Sequence, residues 1–380
     1  MNGAQPSRWQ LVRRFAPPAA FLFGICWQQG VGCGAPPEPP AATPAPAPFT
    51  LIQGEAFGAG FSLKVGGAHS QAEEQALNEA IGAILQQVDA KVSTWRSDSD
   101  LARFNASADT EAHQMPADAL ALVEESISLG RDSNGAFDVT VRPLVRLWGF
   151  GSGAATEEPT LVALEAARAY VGNDMLVVDR AAGTLRKRDP RVEVDLSAIA
   201  PGWAADLVAE HLLAAGHPDW LIDVGGEFRA RGKSPTGRPW RVAIEQPDAL
   251  ARTGYAVAEL RDGALATSGD YRAYREVNGE RVSHTIDPRS GQTVRHRLAS
   301  VTVLHARAAL ADGWATALSV LGPVDGLAMA EARGLAAFFI VRQPDGSFVP
   351  HATTAWVASQ GPAPGYGDRG AQSPAPTGAP

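Results

Sequence analysis

Asp312 and Thr316 lie within a mostly apolar stretch, "ARAALADGWATALSV", at residues 306–320. The density of Ala, Leu and Val predicts a helix, so Asp312 and Thr316 would lie one turn apart on the same face. Carboxylate and hydroxyl oxygens are ligands that suit a hard cation such as Mg²⁺. The structural alternative is that Asp312 caps a nearby loop while Thr316 bonds back to its own helix.

A second polar cluster lies in "EVDLSAIAPGWAAD", residues 193–206. The pattern predicts that Asp195 ends a strand and that Ser197 caps the helix behind it. Backbone groups exposed where a strand meets a helix attract polar ligands, although ordinary capping explains the same residues.

Two other segments combine polar residues with unusual backbone requirements. In "LIDVGGEF", residues 221–228, two adjacent glycines precede Glu227. They allow positive φ and a close approach of a ligand to the backbone, or they form a bulge without function. In "RVSHTIDPRSG", a neutral His284 is suited to take a proton from a hydroxyl nucleophile. The structural alternative is a histidine that only forms a hydrogen bond. The chain carries neither a G-x-S-x-G elbow nor a Walker loop.

The elements that must position these residues follow from hydrophobic periodicity and turn signals. Strands are predicted over 175–196, and a hairpin turning at Pro344-Asp345-Gly346 over 334–353. The mixed order, without steady βα alternation, indicates an α+β fold with a mainly antiparallel sheet. The predicted longer helices cover residues 70–95, 116–135, 160–172, 197–216 and 309–322.

The overall composition of the chain indicates which classes of binding partner are expected. The chain has 380 residues, of which 45% are hydrophobic and 19% charged, enough for a sizeable core. Its formal net charge is -8 and it has no long basic block. Phosphate binding along a nucleic acid needs a clustered positive face, so the sequence argues against a nucleic-acid partner.

The N-terminal region has the features of an export signal. Arginines precede a short apolar stretch within residues 1–32, and a Pro/Ala-rich tether is predicted over 33–48. Small residues before Cys33 resemble a bacterial lipoprotein cleavage site; the alternative is a cleaved signal with an inert cysteine. We therefore expect an exported protein on the periplasmic side of a bacterial membrane, with a lipid anchor at Cys33. The only other cysteine is Cys26, which excludes a disulfide or thiolate metal site from the body of the protein.

Eight motifs, in order from about residue 52 to 357, resemble the ApbE family of FAD:protein FMN transferases. They are "VSTWRSDSDLARFN", "GAFDVTVRPLVRLWGFG", "VEVDLSAIAPGWAADLVAEHL", "LIDVGGEFRARG", "PWRVAIEQP", "LATSGDYRAY", "RVSHTIDPRSG" and "ADGWATALSVLG". The resemblance implies one large α+β domain, placed at residues 49–360 and followed by a disordered tail at 361–380. It also implies a Mg²⁺-dependent reaction in which FAD is the substrate, AMP leaves, and FMN is joined to a Ser or Thr hydroxyl of an acceptor. Acceptors in such systems are exported or membrane-bound flavoproteins.

The resemblance also implies roles for individual residues. The metal ligands would be Asp312, the Thr316 hydroxyl and the Ala198 backbone carbonyl, and His284 would assist deprotonation of the acceptor hydroxyl. Two departures stand out: Pro201 occupies a cofactor-binding position that is commonly Lys or Glu, and Phe57 replaces a common Met. The remaining cofactor-binding positions would be Trp95 against the flavin ring, Ala136, Phe137, Asp138, Asp195 and Ile286.

Two other functions fit the same motifs. One is a protein that binds FAD without transferring FMN, which the loss of a Lys-like contact at Pro201 favours. The other is a Mg²⁺-dependent FAD pyrophosphatase that releases FMN and AMP to water.

Overall fold

The structure, a computed structural model, describes residues 46–150, 158–247, 253–269, 274–277 and 280–362. The predicted signal, most of the tether and nearly all of the predicted tail lie outside the described residues. Of the tether, Ala47 donates a backbone hydrogen bond to the Pro235 carbonyl at 2.7 Å, and the Pro48 carbonyl accepts one from Gly67 at 2.9 Å. Ordered contacts with the domain thus begin just before Phe49.

Eight α-helices lie within the described ranges. They are α1 (Gln71–Val92), α2 (Asp100–Ala106), α3 (Ala117–Asp132), α4 (Arg142–Leu147), α5 (Leu161–Arg168), α6 (Ala200–Ala214), α7 (Ala308–Ala332) and α8 (Thr354–Gln360). Ser70 begins α1 with a capping box, and Ser99 caps α2 through the Ala102 amide at 2.9 Å. No helix among the described residues is both long enough and apolar enough to cross a membrane.

The same ranges contain fifteen strands, all paired antiparallel. They are β1 (Phe49–Ala56), β2 (Ala59–Gly66), β3 (His113–Gln114), β4 (Leu176–Asp179), β5 (Thr184–Lys187), β6 (Trp220–Val224), β7 (Glu227–Arg231), β8 (Trp240–Glu245), β9 (Gly254–Leu260), β10 (Gly263–Gly269), β11 (Tyr274–Val277), β12 (Glu280–Ser283), β13 (Leu298–His305), β14 (Ala336–Arg342) and β15 (Phe348–Ala352).

Eight of these strands form the main sheet, in the order β1-β2-β6-β7-β10-β13-β14-β15. Successive residues of a strand face opposite sides of a sheet. Phe339 accordingly joins a large core with α1, α3, α6 and α7, while its neighbour Phe338 joins a second core with β8, β9 and α8. The main sheet is therefore covered on both faces, which confirms the predicted α+β architecture.

The helix predictions are confirmed, with one difference in detail, whereas one strand prediction is partly wrong. α7 continues past residue 322, because Gly322, at φ 79°, bends the chain and the helix resumes at Pro323. The strand prediction over 175–196 is wrong beyond Lys187, where β5 ends. Residues 192–196 do not pair as a strand, because the Val194 amide and carbonyl bond the side chain of Asn105 instead.

Candidate active site

A cavity of about 1310 Å³ brings together predicted site residues that are widely separated in the sequence. Its walls come from the first strands of the main sheet, the β6–β7 turn, α4, α7 and the segment before α6. Pro201 is not among the lining residues; it lies in the first turn of α6. The predicted residues that line the cavity are Trp95, Ala136, Phe137, Asp138, Asp195, Ala198, His284, Ile286, Asp312 and Thr316.

Asp312 projects from the buried face of α7 and is only 6% exposed. Its Oδ2 accepts one long hydrogen bond, 3.3 Å, from the Gly202 amide. Burial raises the pKa of the Asp312 carboxyl to about 7, because a charged group is poorly solvated there. A cation beside this carboxylate would compensate the cost of keeping it charged.

Ala198, in the turn that precedes α6, lines the same cavity. In a regular helix the Gly202 amide would donate to the carbonyl four residues earlier, that of Ala198. Here that amide donates to Asp312, and the Ala198 carbonyl has no hydrogen bond among the described residues. The Ala198 carbonyl is therefore available to a ligand, and Ala198 lines the same cavity as Asp312.

Thr316 lies one turn beyond Asp312 on α7 and lines the cavity. Its hydroxyl contacts the Ser268 hydroxyl of β10 at 3.4 Å, a partner on a different element. That contact differs from the structural alternative, in which Thr316 would bond back to its own helix. The hydroxyl therefore faces the sheet and the cavity.

These three groups fit a Mg²⁺ site in their chemistry. Mg²⁺ takes oxygen ligands and usually keeps several waters, so a single carboxylate, a hydroxyl and a carbonyl suffice. The described residues contain no cluster of three or more His, Cys, Asp or Glu that would hold a metal by itself. Water or substrate phosphate oxygens would complete the coordination of an ion held by these three groups.

Two further carboxyl groups, Glu227 and Asp223, lie near Asp312, and the pKa of each is raised. Burial raises the pKa of Glu227 well above its ordinary range, and the nearby Asp312 and Asp223 carboxylates raise it further. Burial likewise raises the pKa of Asp223, whose Oδ1 accepts from the Gly226 amide at 3.0 Å. The predicted Gly-Gly break is a tight turn in which both glycines have positive φ and line the cavity.

Trp95 presents a broad aromatic surface at the cavity, with 73% of the residue exposed. The loop that carries it is ordered by Ser93, whose hydroxyl accepts from the Trp95 and Arg96 amides at 3.2 and 3.3 Å. Ser99, the cap of α2, donates to the Ser93 carbonyl at 2.5 Å. An exposed ring on an ordered loop is well placed to stack on a planar ligand.

The "AFD" segment follows α3 and forms another wall. Asn134 and Gly135 have φ of 55° and 77°, and they reverse the chain at the end of the helix. Asp138 is largely buried and accepts from the Thr140 amide and hydroxyl at 2.7 and 2.6 Å. Burial outweighs these bonds and raises the pKa of the Asp138 carboxyl.

Asp195 lies on the irregular segment that the sequence predicted as a strand end. Its amide donates to the Val139 carbonyl at 2.7 Å, and its carboxylate accepts from the Ser197 amide at 3.0 Å. The predicted capping of α6 by Ser197 is wrong: that hydroxyl bonds Asp195, and the N-cap is Ile199, without a side-chain bond. The Ser197 hydroxyl therefore orients the Asp195 carboxylate and does not cap α6.

Arg142, which no motif in the sequence marked as a site residue, also lines the cavity. Its guanidinium pairs with Glu193 at 3.0 Å and lies 3.6 Å from the Asp195 carboxylate. Arg146, one turn further along α4, reaches the same Glu193 at 2.8 Å. The spacing of Arg142 and Arg146 by one helical turn is visible in the sequence and indicates a shared basic face. Their acidic partner lies about fifty positions away, so it could not be assigned from the sequence.

His284 follows β12 and is exposed at the cavity. The Phe150 ring approaches it edge-on, with 6.5 Å between ring centroids. Ile286 is 5% exposed and packs in a small third core with Trp148, whose indole donates to the Gly291 carbonyl at 2.8 Å. The "SHTIDP" segment is thereby anchored on α4 and α5.

The family model described as the ApbE family matches residues 57–339. The chain belongs to the ApbE family. The resemblance inferred from the eight motifs is confirmed, and the α+β fold agrees with solved structures of ApbE proteins.

Similar proteins cover most of this chain. A Vibrio cholerae serotype O1 protein named FAD:protein FMN transferase is 40% identical over 302 residues, 79% of this chain and 90% of the relative. A Haemophilus influenzae protein of the same name is 42% identical over 290 residues, 75% of this chain and 84% of the relative. The crystal structure of the Pseudomonas stutzeri flavinyl transferase ApbE in its apo form is 40% identical, with a TM-score of 0.76. The aligned region covers 84% of this chain and 98% of the Pseudomonas stutzeri chain.

Proposed function

We propose that this ApbE-family protein transfers FMN from FAD to a Ser or Thr hydroxyl of an acceptor protein, releasing AMP. The observation that carries the proposal is the single cavity that collects Asp312, Thr316 and Ala198 together with Trp95 and His284. Oxygen ligands, an aromatic surface and a base are the groups that splitting a flavin dinucleotide requires. The names of the relatives point to the same reaction.

The proposed step is a displacement at phosphorus. The acceptor hydroxyl oxygen bonds to the phosphorus of the FMN half, and the bond from that phosphorus to the bridging oxygen breaks. AMP leaves with that oxygen, and the hydroxyl proton passes to His284, whose imidazole is exposed to the cavity. Alignment and charge neutralisation contribute most to such a reaction.

Mg²⁺ held by Asp312, Thr316 and the Ala198 carbonyl would supply neutralisation of charge on the diphosphate. The residues of the chain bind and orient the substrate. Trp95 offers a stacking surface, the ordered Asp138 and Asp195 carboxylates offer hydrogen-bond acceptors, and strands of the main sheet form one wall of the cavity.

The acceptor belongs to the exported or membrane-bound flavoproteins of electron transport. Support comes from the N-terminal sequence, where a positive and then apolar leader precedes Cys33 and a Pro/Ala-rich tether. We place the mature protein on the periplasmic side of a bacterial membrane, held there by lipid at Cys33. Mass spectrometry of the mature N-terminus tests this: a diacylated Cys33 supports it, and an unmodified N-terminus beyond Cys33 contradicts it.

One incubation separates the proposed transfer from its two rivals. The protein is mixed with FAD, MgCl₂ and an apo-flavoprotein domain carrying one reactive threonine, with that domain's Thr→Val variant as the matched control. Intact mass and in-gel flavin fluorescence report FMN bound to the acceptor, and chromatography reports free FMN and AMP.

Covalent FMN on the threonine acceptor alone, with one AMP released per FMN bound and loss of both in EDTA, is the expected result. Free FMN and AMP without labelled acceptor would identify a pyrophosphatase. Unchanged FAD that remains bound to the protein would identify a flavin-binding protein without transferase activity.

A further inference from the structure

The Asp206 carboxylate joins α6 to the first turn of α7. Its two oxygens accept from the Ala308 and Ala309 amides at 2.8 and 3.1 Å. α7 has no cap of its own, because its N-cap residue, Arg307, makes no side-chain cap hydrogen bond. A residue of α6 therefore caps the helix that carries two of the proposed metal ligands.

Two arginines lie close to this carboxylate. Arg229 of β7 approaches one oxygen at 3.3 Å, and Arg307 approaches the other at 3.6 Å. Asp206 itself is only 6% exposed. The two amide hydrogen bonds orient this buried carboxylate, and the two nearby cations favour its charged form, so Asp206 ties together α6, β7 and α7.

Gly202, one turn earlier on α6, sets how closely the two helices approach. A Cβ on Gly202 would lie 2.3 Å from the Ala308 carbonyl oxygen and 2.8 Å from the Ala309 nitrogen, both backbone atoms. The Gly202 amide also donates to Asp312. The backbones of α6 and α7 are therefore in direct contact beside the cavity.

Along the chain, this contact lies one helical turn from each half of the proposed metal site. Ala198 is one turn before Gly202 on the first segment, and Asp312 is one turn after Ala308 on the second. The Asp206 cap and the Gly202 contact therefore hold together the two segments that carry Ala198 and Asp312.

We propose that Asp206 is a positioning residue for the metal site, a role that rests on the proposed function. It touches neither substrate nor metal. It keeps the start of α7 against α6, so that oxygen ligands from two distant parts of the chain converge on one ion. Without the Asp206 carboxylate, α7 would still carry Asp312 and Thr316, but these ligands would no longer be held at the correct distance from Ala198.

The test compares Asp206→Asn and Asp206→Ala with Thr353→Val. Thr353 is a matched control because it is a buried cap, accepting from the Trp356 amide at 3.3 Å, and does not line the cavity. Asp206→Asn retains an oxygen acceptor, so it keeps the test valid if Asp206→Ala does not fold. Each full-length variant is assayed for thermal stability, for FAD affinity in EDTA, and for the Mg²⁺ concentration that gives half of the maximal Mg²⁺-induced thermal shift with FAD bound.

We expect Asp206→Asn to raise that Mg²⁺ concentration about tenfold, as loss of an outer support of a metal site typically does. FAD affinity in EDTA should stay within about twofold, and Thr353→Val should lower the melting temperature without changing the Mg²⁺ requirement. If Asp206→Asn and Thr353→Val both lose thermal stability and neither changes the Mg²⁺ requirement, Asp206 is only a structural cap. If the wild type binds FAD but shows no Mg²⁺ response, the proposed metal site and the role of Asp206 are both wrong.

Discussion

The imidazole of His296 donates a hydrogen bond to the Ser319 carbonyl, with 2.9 Å between Nε2 and the oxygen. In a regular helix that carbonyl would accept from residue 323, but Pro323 has no amide hydrogen. The His296 ring also occupies the space beside Gly322, where a Cβ would lie 2.5 Å from it. His296 therefore stabilises the bend of α7 next to Ser319, which lines the cavity.

We expect His296→Ala to lower the free energy of unfolding by about 1–3 kcal/mol, because it leaves a buried carbonyl unpaired and opens space beside Gly322. Urea unfolding followed by circular dichroism measures this. Ser290→Ala, an exposed loop change, is the control and should stay within about 0.5 kcal/mol. A His296→Ala variant as stable as the wild type would show that another group satisfies the Ser319 carbonyl.

Asp312→Ala should abolish transfer of FMN while leaving the protein folded. The carboxylate is buried with a single long hydrogen bond from Gly202, so its removal costs little stability. AMP release at saturating Mg²⁺ and FAD measures the loss, and circular dichroism verifies the fold. Turnover at the wild-type rate in this variant would refute the assignment of Asp312 as a metal ligand.

The pKa of Asp312 predicts how stability depends on pH without Mg²⁺. Burial raises this pKa from 3.8 to about 7, so the folded state favours the protonated form. The resulting stabilisation is complete below about pH 4 and is lost as the pH rises through about 7. The wild type should therefore lose a few kcal/mol between about pH 4 and pH 7 relative to Asp312→Asn, since each pKa unit corresponds to about 1.4 kcal/mol.

Urea unfolding of both proteins in EDTA across this pH range measures the difference. Added Mg²⁺ with FAD should remove it, because a cation favours the charged carboxylate. A constant difference between wild type and Asp312→Asn at all pH values would show that Asp312 does not titrate in this range.

His284→Ala should slow transfer far more than it weakens FAD binding. The side chain is exposed at the cavity, and general base catalysis typically contributes about 10²–10⁴-fold. Single-turnover AMP release measures the rate, and quenching of flavin fluorescence measures the affinity. Equal losses in rate and affinity would identify His284 as a structural residue.

Local sequence determined much of this protein. The apolar spacing that predicted α1 and the Pro-Asp-Gly turn that predicted the β14–β15 hairpin act within a few residues, so they can be identified without knowing the rest of the chain. The same holds for the Asp312 and Thr316 pair, because residues one turn apart share a helix face whatever the helix packs against. The motifs also identified the family, which the family model confirms.

Only the tertiary structure decided how these pieces meet. Asp195 lies on an irregular segment because Asn105, some ninety positions earlier, bonds the backbone of Val194. The contact of Gly202 with Asp312 and the capping of α7 by Asp206 join residues about a hundred positions apart. Such pairings depend on which surfaces pack together when the core forms, and local periodicity carries no information about that choice.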